Sequence, residues 1–357
     1  MARKVLVFNF FSGIFQRGIP LYVDNLCIAL EKSGVRAVQF RCPAFLRKRP
    51  RWLTNLLFVF CEQIVMPIAG LGFSRSIYPY NSVSVLASIF GRPLLIVHDF
   101  VSARLRNKAF AARYIRFTES VHDCRGGDVA FISRDNCRMA RVTRRYRRSA
   151  VYLFPNAFFG FAALRTPQPP QREPYVLLCS GWGRNKNLEG ALQLYRDSKL
   201  CDQHPLHILG LQAQTERVAA FCAQHPELQG KITVLPRMDD ADVVNAYERA
   251  AWVWVHSLHE GFGRSIAEAR LCGCRVVVSN IRPFREQRDE AVIFYAGLDE
   301  FRRAAAECEA MPESQERKEP RDHALLLAEI ERYLRRQADR PPGQDEAIRA
   351  PAEASPD

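Results

Sequence analysis

Short apolar runs alternate with longer amphipathic stretches along most of the chain. In the first half the runs are KVLVFNF, RAVQF, SIYPY, LLIVHDF, DVAFIS and AVYLFPN, and in the second YVLLCSG, LHILG, ITVLP, AWVWVHS, RVVVSN and AVIFY. Several are apolar at successive positions, not at alternate ones, which is the pattern of a strand covered on both faces. The intervening stretches carry a helical period. PLYVDNLCIALEKSG has apolar residues at Leu21, Leu26, Ile28 and Leu30 and a stop at Gly34, and DADVVNAYERA reads the same way. Strands alternating with helices imply parallel sheets joined by right-handed crossovers. The expectation is therefore an α/β protein of two Rossmann-like domains facing a cleft, over residues 1–165 and 175–312. A Pro-rich linker, TPQPPQREP, fills 166–174. A charged helix over 320–337 and a disordered tail of Pro, Ala and acids over 338–357 complete the prediction.

One stretch breaks this rhythm. LTNLLFVFCEQIVMPIAGLGF, residues 53–73, approaches the length of a membrane span, yet Glu62, Gln63 and Pro67 oppose spanning. The expectation is a buried helix, or one lying on a membrane surface with the preceding RKRPRW against anionic headgroups. Charge sharpens the question. Net charge is +13, but residues 1–165 hold about +18 and the remainder about −5. The first half is thus expected to face something anionic: a phospholipid surface, a pyrophosphate-linked acceptor or nucleic acid. RVTRRYRRSA lacks zinc-ligand spacing, an RNP-type motif or interleaved aromatics, which disfavours nucleic acid. The 11 cysteines contain no CxxC pair, as expected of reduced structural thiols in a cytoplasm. MARKVLVFNFFSG reads as a first buried strand, not a secretory leader.

The chemistry concentrates in HEGFGRSIAEARLCG, residues 259–273, directly after the run AWVWVHS. In parallel sheets ligands bind outside the carboxyl ends of strands. Gly261 and Gly263 would let backbone approach a ligand, with Phe262 between them, and a helix starting near Arg264 or Ser265 would aim its free N–H groups at a diphosphate. Glu268, about one turn inside that helix, would face a ribose, and Glu260 the other sugar. Arg184 and Lys186, in GWGRNKN after the first strand of the second half, would neutralise a leaving nucleoside diphosphate without a metal. No cofactor and no metal site is expected.

SLHEGFGRSIAEARLCGCRVVVSN resembles the E-x7-E signature of retaining glycosyltransferases of the GT-B fold, most closely glycosyltransferase family 4 (group 1). RGIPLYVDNLCIAL is similar to that family's first glycine loop and helix, with Arg17 where a second glycine is common. SIYPYN followed by LLIVHDF is similar to a His-Asp strand end in bacterial mannosyl- and rhamnosyltransferases, and FISRDN, LFPNAF and SGWGRNKNL follow in the family's order. The chain departs from the pattern at His256, His259 and Arg275.

The resemblance implies metal-independent transfer of a hexose, with retention, from a nucleotide-diphosphate sugar to a glycan or polyprenyl-pyrophosphate-linked acceptor. Mannose or rhamnose is favoured, in a surface-polysaccharide pathway at the inner face of the cytoplasmic membrane. Glu260 would orient the sugar, His98 would contact it, and Asp99 would serve as acceptor-side base or cap the next helix. Backbone at Gly18, Ser265 and Ile266 would meet phosphate or acceptor. The departing phosphate oxygen would take the acceptor's proton.

Overall fold

The alternation of runs resolves into two six-stranded sheets, parallel throughout, in which all twelve predicted strands are found. The computed structural model describes residues 4–12, 14, 18–42, 50–100, 110–168, 170–181, 183–211, 215–312, 317–318 and 322–338. Contacts divide the chain into two units, Met1–Ala157 with Asp322–Asp357, and Phe158–Arg321. Arg17, residues 43–49, which include the first three residues of the basic run, and the tail beyond 338 lie outside the described residues.

In the first unit β1 (Lys4–Asn9), β2 (Arg36–Arg41), β3 (Arg75–Tyr78), β4 (Leu94–Val97), β5 (Asp128–Phe131) and β6 (Ala150–Leu153) lie in the order β2-β1-β3-β4-β5-β6. Its helices are α1 (Ile19–Lys32), α2 (Arg51–Phe60), α3 (Met66–Gly70), α4 (Val85–Phe90), α5 (Phe110–Cys124) and α6 (Arg134–Val142). β4 and β5 are buried at every position, which is why LLIV and DVAF show no alternation. α1 buries Tyr22, Val23, Leu26, Ala29 and Leu30, one turn-face rotated from the predicted Leu21 and Ile28, and it stops at Gly34 in the left-handed region. Ser84 and Ser133 cap α4 and α6 through their hydroxyls, accepting from Ala87 and Asn136 N–H.

The second unit begins with α7 (Phe159–Ala163) and continues β7 (Glu173–Cys179), α8 (Leu188–Asp197), β8 (Leu206–Leu209), α9 (Thr215–Gln224), β9 (Ile232–Val234), α10 (Asp240–Arg249) and β10 (Ala250–Val255). α11 (Arg264–Leu271), β11 (Val276–Ser279), α12 (Arg282–Arg285), β12 (Val292–Tyr295) and α13 (Leu298–Ala310) follow. Trp252 and Trp254 are fully buried at the centre of its core.

Two expected boundaries move. The first unit ends at 157, not 165, and the Pro-rich 166–174 belongs to the second unit instead of linking the two. Polar anchors explain this: Thr166 Oγ1 donates to buried Glu248, and the Arg172 guanidinium donates to the carbonyls of Ala250 and Gly273, each at 2.8 Å. The last helix, α14 (Asp322–Ala338), packs against the first unit. Tyr333 meets Tyr152 and Phe154 edge-on, and Glu329 accepts from Leu153 N–H at 3.0 Å.

The stretch at 53–73 forms α2 and α3 joined by a π turn, Cys61–Val65. Glu62, within the turn, is completely buried. Its carboxylate accepts from Ser82 Oγ at 2.6 Å and from the Tyr114 hydroxyl, and Gln63 reaches Tyr114, Val83 O and Val85 N. Burial lifts the Glu62 carboxyl from 4.5 to about 7, against the opposing effect of these hydrogen bonds. A raised folded-state value means that folding favours the protonated acid. The contribution is complete below the unfolded value of 4.5 and is lost as pH rises through about 7. The unfolding midpoint is expected to fall between about pH 5 and about pH 8, through a loss of roughly 3 kcal/mol or less from this group. Glu62→Gln, neutral throughout, is expected to remove that part of the slope in calorimetric scans across pH. A slope as steep in the variant as in the wild type would assign the pH dependence elsewhere.

Candidate functional site

The strand order of the second unit, β12-β11-β10-β7-β8-β9, reverses between β7 and β10. Chain leaving β7 turns towards β8 and chain leaving β10 turns towards β11, so the two loops diverge and open a crevice at the carboxyl edge. These loops carry the GRNKN and HEGFG motifs.

Four interactions tie them together. Leu258 N–H donates to Asn185 O at 2.7 Å, and Asn185 Nδ2 donates to His259 O at 2.9 Å. Asn187, held in the left-handed region at φ 43°, sets its Nδ2 3.0 Å from His256 Nε2. Between them Lys186 Nζ meets Glu260 Oε1 at 2.7 Å, and Ser257 Oγ donates to the same oxygen at 2.9 Å. Both partners of the ion pair are partly exposed, so the pair is open to a ligand from solvent.

His256 supports this arrangement from below. Burial drives its imidazole down to about 4, so the ring is neutral at physiological pH. With Asn187 donating to Nε2, the ring proton is assigned to Nδ1, 2.5 Å from Tyr295 Oη, which also accepts from Trp254 Nε1 at 2.8 Å. One departure from the family pattern is therefore a buried strut. Another, Arg275, donates to the carbonyls of Met311 and Ala251 at 2.7 and 3.2 Å and takes no part in the crevice.

The helix after the crevice, α11, starts at Arg264 as predicted, with Gly263 as N-cap at φ +90°. Gln287 Nε2 donates to Phe262 O at 2.6 Å and fixes this turn. A Cβ at Gly263 would come within 2.4 Å of the Phe284 ring, so both conformation and space require glycine.

Three of the expected site residues are engaged or enclosed within the protein here. Ile266 N–H is already engaged by Gly263 O at 3.1 Å, because the first turn of α11 is tight. Phe262 is buried with its ring 6.3 Å from that of Phe158, so it fills space beneath the crevice. Glu268, expected to face a ribose, is only 2% exposed. α11 is buried almost all round, and the Glu268 carboxylate accepts from Tyr247 Oη and the Arg264 guanidinium, each at 3.3 Å. Gly261 is buried in the same turn, Ser265 is half-exposed, and Arg184 is exposed at the start of the 3-10 turn Arg184–Lys186.

Thus Lys186, Glu260, Gly261 and Gly263 share one loop cluster, with Arg184 and Ser265 at its rim. His98, Asp99 and Gly18 belong to the other unit. His98 directly follows β4 and is buried. Its ring meets Tyr22 edge-on at 4.6 Å, and its backbone is clamped by Asn81 Oδ1 at 2.6 Å and Asn136 Nδ2 at 2.8 Å. Asp99 follows, half-buried, and the segment 101–109 that it would cap lies outside the described residues. Gly18 is the N-cap of α1 at φ +79°, and among the described residues no atom lies within 4 Å of a Cβ built there.

Comparison with known proteins bears on this cluster. Residues 162–318, nearly the whole second unit, match a family model described as "Glycosyl transferases group 1". A 116-residue segment of the chain is 29% identical to the O-antigen chain mannosyltransferase B of Escherichia coli; it covers 31% of this chain and 30% of that protein's length. Sucrose-phosphate synthase from Thermosynechococcus elongatus superposes with a TM-score of 0.69 at 16% identity, over 94% of this chain and 99% of that one. The catalytic domain of starch synthase IV from Arabidopsis thaliana, bound to ADP and acarbose, superposes with a TM-score of 0.66 at 9% identity, over 95% and 100%. These likenesses establish the GT-B fold. Within the second unit, the sequence alone does not mark the tying residues Asn185, Asn187, Ser257 and His256 as site residues. The two amides flanking Lys186 were the available signal.

Gly263→Ala is expected to destabilise the second unit by about 2 kcal/mol or more, from left-handed strain plus the Phe284 contact. Gly263→Ala with Phe284→Leu is expected to recover only the steric part in urea unfolding. Full recovery would mean that backbone strain contributes nothing.

Proposed function

We propose that the protein transfers a hexose from a nucleotide-diphosphate sugar to a glycan or polyprenyl-pyrophosphate-linked acceptor, with retention at the anomeric carbon. The observation that carries this reading is the Lys186–Glu260 ion pair, at 2.7 Å, set where the strand order reverses and beside the N-terminus of α11. A diphosphate arriving there would draw Lys186 Nζ and the Arg184 guanidinium to its oxygens, with no metal required of them. The Ser265 N–H at the helix start would add a neutral donor. Glu260, released from Lys186 and still held by Ser257, would accept hydrogen bonds from sugar hydroxyls.

The bond from the anomeric carbon to the diphosphate oxygen breaks as the acceptor hydroxyl attacks from the same face. The departing oxygen takes the acceptor's proton and leaves as the nucleoside diphosphate, neutralised by the two cations. Glu260 holds the ring while positive charge develops on it, and is not itself attacked. His98, from the first unit, is proposed to contact the transferred sugar. Asp99 would serve the acceptor side.

Mannose is the favoured sugar, since the Escherichia coli relative is named a mannosyltransferase of an O-antigen chain. Rhamnose is the second choice. The acceptor is proposed to belong to a surface polysaccharide assembled at the cytoplasmic side of a membrane.

Glu260→Gln is expected to lower turnover at least about 100-fold while a nucleoside diphosphate still raises the melting temperature. Lys186→Ala is expected to abolish most of that thermal shift. The measurement is a thermal-shift titration with GDP, UDP, dTDP and ADP in EDTA, alongside transfer assays with the matching sugars. Near-wild-type turnover in Glu260→Gln, or no shift from any nucleotide, would overturn the assignment.

A further inference from the structure

The segment from α2 through α3 presents its apolar side chains outward. Trp52 is 68% exposed and Leu71 87%, and Leu56, Phe60, Ile64 and Ile68 continue the same exposed line between them. Glu62 and Gln63 instead point inward, satisfied by Ser82, Val83, Val85 and Tyr114. Phe58 also faces inward and stacks on Phe11 at 5.2 Å. A helix on a water-facing surface shows the opposite disposition. Spacing keeps the line coherent. Positions four apart drift by about 40° per step on an α-helix, and the wider π turn over Cys61–Val65 takes back part of that drift.

The exposed line continues onto a neighbouring helix. Ile68 and Leu71 border a groove of about 530 Å³ with Leu86 and Phe90 of α4, and Phe90 is 85% exposed. Arg92 lines the same groove. Apolar surface edged by a cation is the complement of a bilayer whose acyl chains lie beneath anionic phosphates. The helix Trp52–Gly70 is long and apolar enough to cross a membrane, but crossing would strip Glu62 and Gln63 of their partners and lift Phe58 from the core.

We propose that this face of the first unit is a monotopic docking surface for an anionic phospholipid bilayer. The line from Trp52 to Leu71, with Phe90, enters the headgroup–acyl boundary, and Arg92 binds lipid phosphate. The proposal stands whether or not the glycosyl-transfer reading holds, because no residue of the second unit enters it.

The test is cosedimentation of the full chain with vesicles of phosphatidylcholine, with and without phosphatidylglycerol. Wild-type protein is expected to pellet with the anionic vesicles and to show a blue shift in emission that Trp52→Phe lacks. Leu56→Gln with Phe60→Gln and Ile68→Gln changes only exposed side chains, so its circular dichroism and melting should match wild type. Its partitioning is expected to drop at least about tenfold. Arg92→Gln is expected to lose about fivefold on anionic vesicles and little on neutral ones. Wild-type protein that stays in the supernatant with both vesicles, or a triple variant that pellets as well as wild type, would overturn the proposal. So would a concentration-dependent dimer abolished by the triple variant, which would give the face to a second copy of the chain.

Discussion

Parallel pairing of β7 with β10 is the constraint on which the second unit's chemistry rests. Val176, Leu177, Leu178 and Cys179 register against Trp252, Val253, Trp254 and Val255, so two chain segments far apart in sequence end at the same level. The turn after β7 and the turn after β10 therefore meet whatever their composition. Their residues then decide what the meeting can do. Two amides flank Lys186, one bonded to backbone and one to a buried imidazole, and between them the ammonium is delivered to Glu260. Rigid strands fix the distance and small polar side chains fix the angle, which is how a partly exposed pair holds one geometry.

The first unit solves a different problem. A chain segment with this much apolar surface must be held in place without burying it. Glu62 and Gln63 do so through a polar cluster inside the core, and Phe58 through an aromatic cluster with Phe8, Phe10, Phe11 and Tyr80. The carboxyl tolerates burial because three side chains satisfy it and because protonation relieves its charge.

Much of this was legible in the sequence, for physical reasons that differ by element. Strands covered on both faces write continuous apolar runs, so YVLLC and AWVWV could be read directly. The start of α11 was readable because Gly263 and the acids and apolars after it mark a helix boundary. Burial of Glu268 was not readable: a glutamate in a helix shows no sign of the Tyr247 and Arg264 partners that let it be enclosed. The Pro-rich 166–174 misled because its composition suits a linker, while its anchoring depends on Arg172 reaching carbonyls about a hundred residues away. The destination of α14 was equally silent, since an amphipathic helix states that it packs but not on which surface.

That destination has a consequence for how the molecule is made. Leu153 N–H of the outer strand β6 is satisfied by Glu329, 176 residues further along, and Arg332 donates to Val151 O from the same helix. At roughly 5–20 residues per second, a translating ribosome needs about 10–35 seconds to cover that interval. During it the first unit has its sheet but an open edge, while the second is synthesised from start to finish. The part of the protein begun first is thus completed last, and a nascent chain stalled anywhere between the two exposes a strand edge that the finished molecule covers.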